Sequence, residues 1–260
     1  MIGERIQFLM ISNNFIYPYQ LGGLKYRSTM DASVVLTYLI QLGWVKNLTT
    51  SMLAFDITQF FLSLNHQLFF YILDKAELDQ KVLAFFKNYL VGRKTKYFCN
   101  RFLFPFCNIY VGVGQGLAIS PILSAFYLSL IFHILEKQLK IIKIPIFIIS
   151  FINDSLFISQ NKSISLSNAN LFCSYNVISF FLMKFRLVIE HGKTKVFYFS
   201  RLHRVFNPPS LDLTLIGGPV LLPKTTWQYL RLFLIEDWLF NIILIFMPTR
   251  PSPQSNIWKC

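Results

Sequence analysis

Residues 144–159, IPIFIISFINDSLFIS, set one polar pair, Asn153-Asp154, between two short apolar runs, 144–152 and 156–158. Runs of this length, rich in Ile and Phe and bounded by turn residues, read as buried strands, and Asn-Asp between them reads as a hairpin tip. A carboxylate at such a tip is held rigidly and pointed at solvent, which suits a metal ion. Asn and Asp are also ordinary turn residues, so the stretch alone is equally compatible with a hairpin that carries no chemistry. Asp56 poses the complementary problem. It stands in the apolar run 53–57, which reads as a strand. An unpaired carboxylate there is costly, so it needs a cation, a metal or hydrogen-bond donors.

Composition bounds what such a pair can belong to. The 260 residues suffice for one large domain or two small ones. At 54% hydrophobic, with 28 Phe, the chain is too apolar to be disordered. It carries a formal charge of +13, and no acid occurs between Asp79 and Glu136, where Lys81, Lys87, Arg93, Lys94, Lys96 and Arg101 fall. That bias favours a polyanionic partner, most simply nucleic acid. An anionic membrane surface is the rival, and a solvated basic face with no partner is the third possibility.

The four cysteines are scattered, with no CxxC or Cys/His pairing, which argues against zinc and fits a reducing compartment. The first ten residues are too short and mixed for a secretory signal. An intracellular protein of the nucleus or cytoplasm is therefore expected, not a secreted one. Residues 102–132 carry no charge and are long enough to span a bilayer. They contain Pro105, Asn108, Gln115, Pro121 and three glycines, however, and read as strand, loop and helix rather than one membrane span.

Taken in order, residues 20–32 form a polar, Gly-bearing loop into a helix capped by Ser28 or Thr29, with Asp31 in its first turn and its end at Gly43. Residues 66–76 and 79–91 read as helices, 93–100 as a basic strand and 109–111 as another. Gly112, Gly114 and Gly116 make a flexible loop. Ser120 is a good N-cap and Pro121 a good first helical residue, and Ile122, Leu123, Phe126, Leu130 and Ile134 recur at helical spacing. Residues 167–185 read as a helix, and 188–190 and 196–199 as strands about a turn at 191–193. Pro208-Pro209 reads as a linker, 213–222 as a turn at Gly217-Gly218 and 227–234 as a strand. Residues 236–260 end polar and Pro-rich and are expected to be disordered.

This order of features resembles the reverse transcriptase domain of non-LTR (LINE-type) retrotransposons over roughly residues 20–235. Residues 20–32, with Arg27-Ser28-Thr29 and Asp31, are similar to the family's fingers motif. Residues 54–61, AFDITQFF, are similar to motif A, which implies metal binding by Asp56 and a nucleotide-gating aromatic at Phe61. Residues 112–123 are similar to motif B, which implies that Gln115 and Gly116 line the nucleotide pocket. Phe151-Ile152-Asn153-Asp154 is similar to motif C, His191-Gly192-Lys193-Thr194 to motif D, and 227–233 to the primer grip.

The resemblance implies an α+β fold: a polymerase right-hand palm, an antiparallel sheet with helices packed on one face, with partial fingers and no thumb. The expected division is 1–52 partial fingers, 53–200 palm with an inserted segment at about 80–111, 201–235 primer-grip region and 236–260 diverged tail. The implied activity is RNA-directed DNA synthesis, with RNA template, DNA primer and deoxynucleotide triphosphates as partners. Two Mg²⁺ ions, or Mn²⁺, would be held by Asp56 and Asp154. Asn153 and Lys193 complete the implied catalytic set and Arg27 the nucleotide site. Arg93, Lys94, Lys96, Arg101, Trp227 and Tyr229 would contact nucleic acid.

Departures from the pattern are as informative. Asn153 stands where the family has the metal-binding first Asp of the hairpin. It keeps an oxygen but removes a charge, and a unit charge pair at 4 Å is worth roughly 4 kcal/mol at an effective dielectric of 20. Leu117-Ala118 replaces Ser-Pro, Lys195 replaces an acid, and Arg231 replaces a Gly of the primer grip. With no thumb or endonuclease, the expected protein is a truncated, decayed copy. The alternatives are a catalytically inactive nucleic-acid-binding remnant of the same fold and, more distantly, a membrane protein.

Overall fold

Side-chain alternation builds the molecule around one strand, Thr49–Phe55, buried along its whole length. Leu53 and Phe55 face one hydrophobic core and Met52 and Ala54 a second. A strand covered on both faces has no need of polar alternation, and this one begins at Thr49-Thr50-Ser51, ahead of the apolar run expected at 53–57, and ends before Asp56. The structure is a computed structural model that describes residues 2–75, 79–114, 116–200 and 208–224, and the strand segments 226–229, 232–236 and 242–246.

In chain order the elements are α1 (Ile2–Ser12), α2 (Thr29–Val45), β1 (Thr49–Phe55), α3 (Phe60–Ser63), α4 (His66–Lys75) and α5 (Gln80–Leu90). Four two-residue strands follow: β2 (Lys94–Thr95), β3 (Phe98–Cys99), β4 (Phe102–Leu103) and β5 (Cys107–Asn108). Then come α6 (Ser120–Ile141), β6 (Phe147–Phe151), β7 (Asp154–Asn161), α7 (Ile164–Lys184) and β8 (Lys195–Phe199). The chain continues through β9 (Leu211–Asp212), β10 (Val220–Leu221), β11 (Thr226–Tyr229), β12 (Leu232–Glu236) and β13 (Ile242–Phe246). The central sheet is antiparallel, in the order β6-β7-β1-β8. Helices α6 and α7 cover one face through the larger core. On the other face α2 adds a third layer, burying Ala32, Leu36, Leu39 and Ile40 against Met52, Ile149 and Phe197.

Several boundaries differ from the expected ones, each for a local reason. Helix α2 does not stop at Gly43 but continues to Val45. A Cβ on Gly43 would lie 2.5 Å from Thr50 Oγ1, so this glycine permits close packing of the helix on β1. Its N-terminus is as expected: Ser28 and Asp31 form a reciprocal capping box. Ser120 is the first residue of α6 rather than its cap, and its hydroxyl donates to Gly114 O at 2.7 Å, closing the glycine loop. Residues 188–190 form only an isolated bridge, Ile57↔Ile189, in place of a strand.

The segment 227–234 is not one strand. β11 and β12 pair antiparallel, with Tyr229 opposite Leu232, and residues 230–231 lie outside the described residues. β13 pairs with β12, so residues 242–246 of the tail are ordered as a strand, and the expectation of disorder is corrected there. An apolar run five residues long satisfies its backbone by adding to an existing edge. The rest of the tail lies outside the described residues.

Helix α6 is long and apolar enough to cross a membrane, and two-thirds of its most apolar stretch is buried inside this fold. The charge-free residues 120–132 thus belong to a core helix, packed against α1, α3 and α7.

Candidate active site

Asp56 leaves the end of β1, and Asp154 opens β7, the neighbouring antiparallel strand. The register Phe55↔Ser155 places the two acids at the same end of adjacent strands, 98 positions apart in the chain. The hairpin turn is Ile152-Asn153 rather than Asn153-Asp154, since Phe151 pairs with Asp154. Ile152 holds a left-handed backbone, φ 57°. So does Gln59, three residues beyond Asp56, at φ 44°. A β-branched residue in that region is strained, and such strain persists only where surrounding structure enforces it.

What enforces it is Gln20, fully buried and 132 positions away. Its Oε1 accepts from Ile152 N–H at 2.9 Å, and its Nε2 donates to Ile152 O at 3.3 Å and to Ser150 Oγ at 3.2 Å. Tyr19 and Leu21 exchange backbone hydrogen bonds with Ser150, so residues 19–21 run as a short parallel bridge along β6. Gly22 follows because a Cβ there would meet Ile152 N at 2.5 Å. Arg27, the residue implied for nucleotide binding, donates to Pro18 O at 3.1 Å and Gln20 O at 2.6 Å, so its guanidinium braces this loop. The clamp was not recognised from the sequence, where Gln20 appeared only as the first residue of a motif.

Asp56 is almost wholly buried, and both its oxygens are engaged. The Asn153 side-chain amide donates to Oδ1, and Lys193 Nζ pairs with Oδ2 at 2.7 Å. Lys193 comes from the 3₁₀ turn His191–Lys193, which Glu190 N–H ties to Asp56 O at 2.8 Å. The Tyr175 hydroxyl, 2.8 Å from His191 Nδ1, fixes the same turn to α7. The Asp56 hydrogen bond and charge raise the Lys193 pKa, so it stays an ammonium. Asp154 makes no such pair among the described residues. Burial, reinforced by the negative charge of Asp56, pushes its carboxyl up to about 6, with Lys193 pulling weakly the other way.

Can these residues hold a divalent cation? Asp56 and Asp154 are hard oxygen donors at one strand end, and Mg²⁺ ordinarily takes one or two carboxylates together with substrate phosphates. The pair therefore fits one ion with its nucleotide. It falls a carboxylate short of the implied two-ion site, because Asn153 presents an amide donor to Asp56. Among the described residues there is no group of three or more His, Cys, Asp or Glu placed to hold a metal.

Around this centre, Phe61 is partly buried on α3, against Phe60, and its carbonyl accepts from Val113 N–H at 2.7 Å. Gly112, at φ +80°, packs on the Leu62 backbone, where a Cβ would meet Leu62 O at 2.8 Å. His66, another residue the sequence reading passed over, has Nε2 2.6 Å from Gly112 O and is buried. These contacts join the glycine loop to the turn after Asp56. Gly116 sits in that loop at φ +87°, and Gln115 lies outside the described residues.

Arg93, at the base of the 93–111 segment, stacks on Tyr89 and leaves Nη1 buried without a hydrogen bond among the described residues. Lys94, Lys96 and Arg101 lie farther along that segment, away from the acids in sequence: Lys94 on β2, Lys96 between β2 and β3, and Arg101 in the turn between β3 and β4. Trp227 and Tyr229 lie on β11.

A family model described as reverse transcriptase (RNA-dependent DNA polymerase) matches residues 4–232. Telomerase from Candida albicans, solved with a TWJ fragment of telomeric RNA, superposes with TM-score 0.61 at 11% identity, covering 92% of this chain and 37% of that one. Apo telomerase from Candida tropicalis gives 0.59 at 12%, covering 94% and 40%. Its complex with the TWJ fragment of telomeric RNA gives 0.58 at 13%, covering 90% and 35%. At these identities the likeness is one of fold, and the chain spans well under half the length of those proteins. No curated protein matches it.

Proposed function

The chain belongs to the reverse transcriptase (RNA-dependent DNA polymerase) family, and from that premise we propose that it is the RNA-directed DNA polymerase domain of a non-LTR retrotransposon, in a copy whose catalysis is impaired. The observation that carries this reading is the convergence of Asp56, Asp154 and Lys193 from three separate segments onto one strand end. The non-LTR assignment draws on the run Gln20, Arg27-Ser28-Thr29, Asp31, whose residues brace the catalytic hairpin and cap α2. In this reading residues 1–52 belong to the fingers, 53–200 to the palm with a fingers insert near 80–111, and 201–235 to the primer-grip region. The partners are an RNA template, a DNA primer and deoxynucleotide triphosphates, met in the nucleus or cytoplasm.

Asp56 and Asp154 would hold Mg²⁺, or Mn²⁺. A bound ion of this kind neutralises triphosphate charge and makes a hydroxyl a better nucleophile. The chain's own residues do the rest. Lys193 keeps its proton and stands 68% exposed beside Asp56, where an ammonium would face the phosphates of an incoming nucleotide. Phe61 borders the glycine loop and would restrict what sugar fits there. Asn153 withholds a negative charge beside Asp56 and ties up one of its oxygens.

Primer extension on a homopolymer RNA template, with Mg²⁺ and with Mn²⁺, tests the reading. Little or no extension is expected from the natural chain and partial recovery from Asn153→Asp. Leu117-Ala118 and Arg231 would keep recovery incomplete, since misplacement by about 1 Å can cost on the order of a hundredfold. Robust extension by the natural chain, abolished in Asp56→Ala, would contradict the impairment. A second reading, a catalytically silent nucleic-acid binder, is favoured by one feature: Asp56 is already neutralised by Lys193 and hydrogen-bonded by Asn153 with no cation needed. Intact nucleic-acid binding with no extension by any variant would select it.

A further inference from the structure

The 93–111 segment is a two-step hairpin that stands off the body of the protein. Its inner ladder is β2 with β5 and its outer ladder β3 with β4, closed by Asn100-Arg101 with both residues at positive φ. That is the primed two-residue turn which suits a hairpin. None of residues 94–111 belongs to either hydrophobic core. Yet Tyr97, Phe98, Phe102, Phe104, Phe106 and Tyr110 are all exposed, Phe98 to 71% and Phe104 least at 44%. The Phe102 and Phe104 rings meet edge to face at 5.0 Å, and Lys96 Nζ lies 4.2 Å over the Phe106 ring. An isolated two-stranded hairpin is marginal in water, and an uncovered run of large rings is a contact surface.

Charge says what covers it. Lys94, Lys96 and Arg101 lie on the hairpin, and neither it nor its flanks from residue 80 to 135 carry an acid. Cations interleaved with exposed rings match a chain of phosphates with unpaired bases between them. The phosphates pair with the ammonium and guanidinium groups and the base faces stack on the rings. A duplex hides its base faces and would engage only the cations. We propose that this aromatic-basic hairpin is a stacking platform for single-stranded nucleic acid. The proposal deepens the nucleic-acid reading above and rests on it, adding that the bases, and not the phosphates alone, are held.

The test is fluorescence anisotropy of the full chain with three labelled probes: a mixed-sequence single strand, the same strand fully abasic and so of equal phosphate number, and the duplex of the first. The intact strand is expected to bind at least tenfold tighter than the abasic one, at a preference insensitive to salt. Phe98→Ala with Phe102→Ala should reduce that preference by about tenfold or more. Both rings are exposed, so the fold should survive, and the abasic comparison needs no variant at all. Lys94→Gln with Lys96→Gln should weaken all three probes and flatten their salt dependence.

Equal binding of intact and abasic strands would overturn the platform while leaving a phosphate-binding groove. Binding to none of the probes would sink the nucleic-acid reading itself. Capture by anionic phosphatidylserine vesicles without binding of the strand would assign the surface to a membrane and overturn the proposal.

Discussion

At the scale of residues, the site has three members whose charges are unequally balanced. Asp56 is satisfied twice over, by Lys193 and by the Asn153 amide. Burial, and after it the charge of Asp56, raises the Asp154 carboxyl from the ordinary 3.8 to about 6. A raised acid binds more protons folded than unfolded between those values, so it lowers stability as pH climbs through that window and above it. Replacement by a neutral isostere should remove that loss. In urea unfolding with chelator present, Asp154→Asn should gain on the natural chain by on the order of 2 kcal/mol between pH 4 and pH 7.5. A constant difference across that range would show that Asp154 is not perturbed in the folded state.

The two acids were legible in the sequence because each interrupts an apolar run. Their direct partners were legible only as motif positions. Asn153 was expected at a metal-ligand position and Lys193 as the motif D lysine, and the structure has both turned onto Asp56.

Among the elements, the β6–β7 hairpin shows what local pattern conveys and what it does not. Two apolar runs about a polar pair correctly announce two strands. The turn itself lies one residue earlier, because Ile152 takes the left-handed position that a sequence reader assigns to Asn, Asp or Gly. A distant side chain holds it there: Gln20 satisfies both backbone groups of Ile152, and the Ser150 hydroxyl adds a second donor to Ile152 O. Gln20→Ala leaves a largely buried N–H unpaired, for which about 1–3 kcal/mol is the usual cost. Thermal unfolding should therefore show Gln20→Ala clearly destabilised. Gly22→Ala should be so as well, because its Cβ would press on Ile152 N. A hairpin that tolerated both would not be clamped from this side.

The basic segment was the poorer reading. Seen as one strand, it is a broken hairpin, since Asn100-Arg101 turns the chain where periodicity alone continues.

At the scale of the whole molecule, the order of motifs along the chain was legible over most of its length, and the palm-like antiparallel sheet follows it. The second face of the sheet was not. Helix α2 was legible as a helix, but nothing in its sequence says that it covers Met52 and Ala54 rather than joining α6 and α7. The long charge-free stretch proves to be a broken hairpin and glycine loop running into a core helix. The excess of positive charge predicts nucleic-acid affinity that falls steeply with salt. Several phosphate contacts imply a log–log slope of several units between about 50 and 200 mM. A flat response over that range would leave the charge without a polyanionic partner.

On the proposed function, the strand end bearing Asp56 and Asp154 is a polymerase metal site weakened by Asn153. Mn²⁺ binding, followed by the loss of the free-ion electron paramagnetic resonance signal, measures it without requiring activity. Asn153→Asp should bind at least tenfold tighter than the natural chain, because a third carboxylate again faces Asp56, and Asp56→Ala should not bind at this site. Equal affinity in the natural chain and Asn153→Asp, or binding unchanged in Asp56→Ala, would contradict the claim.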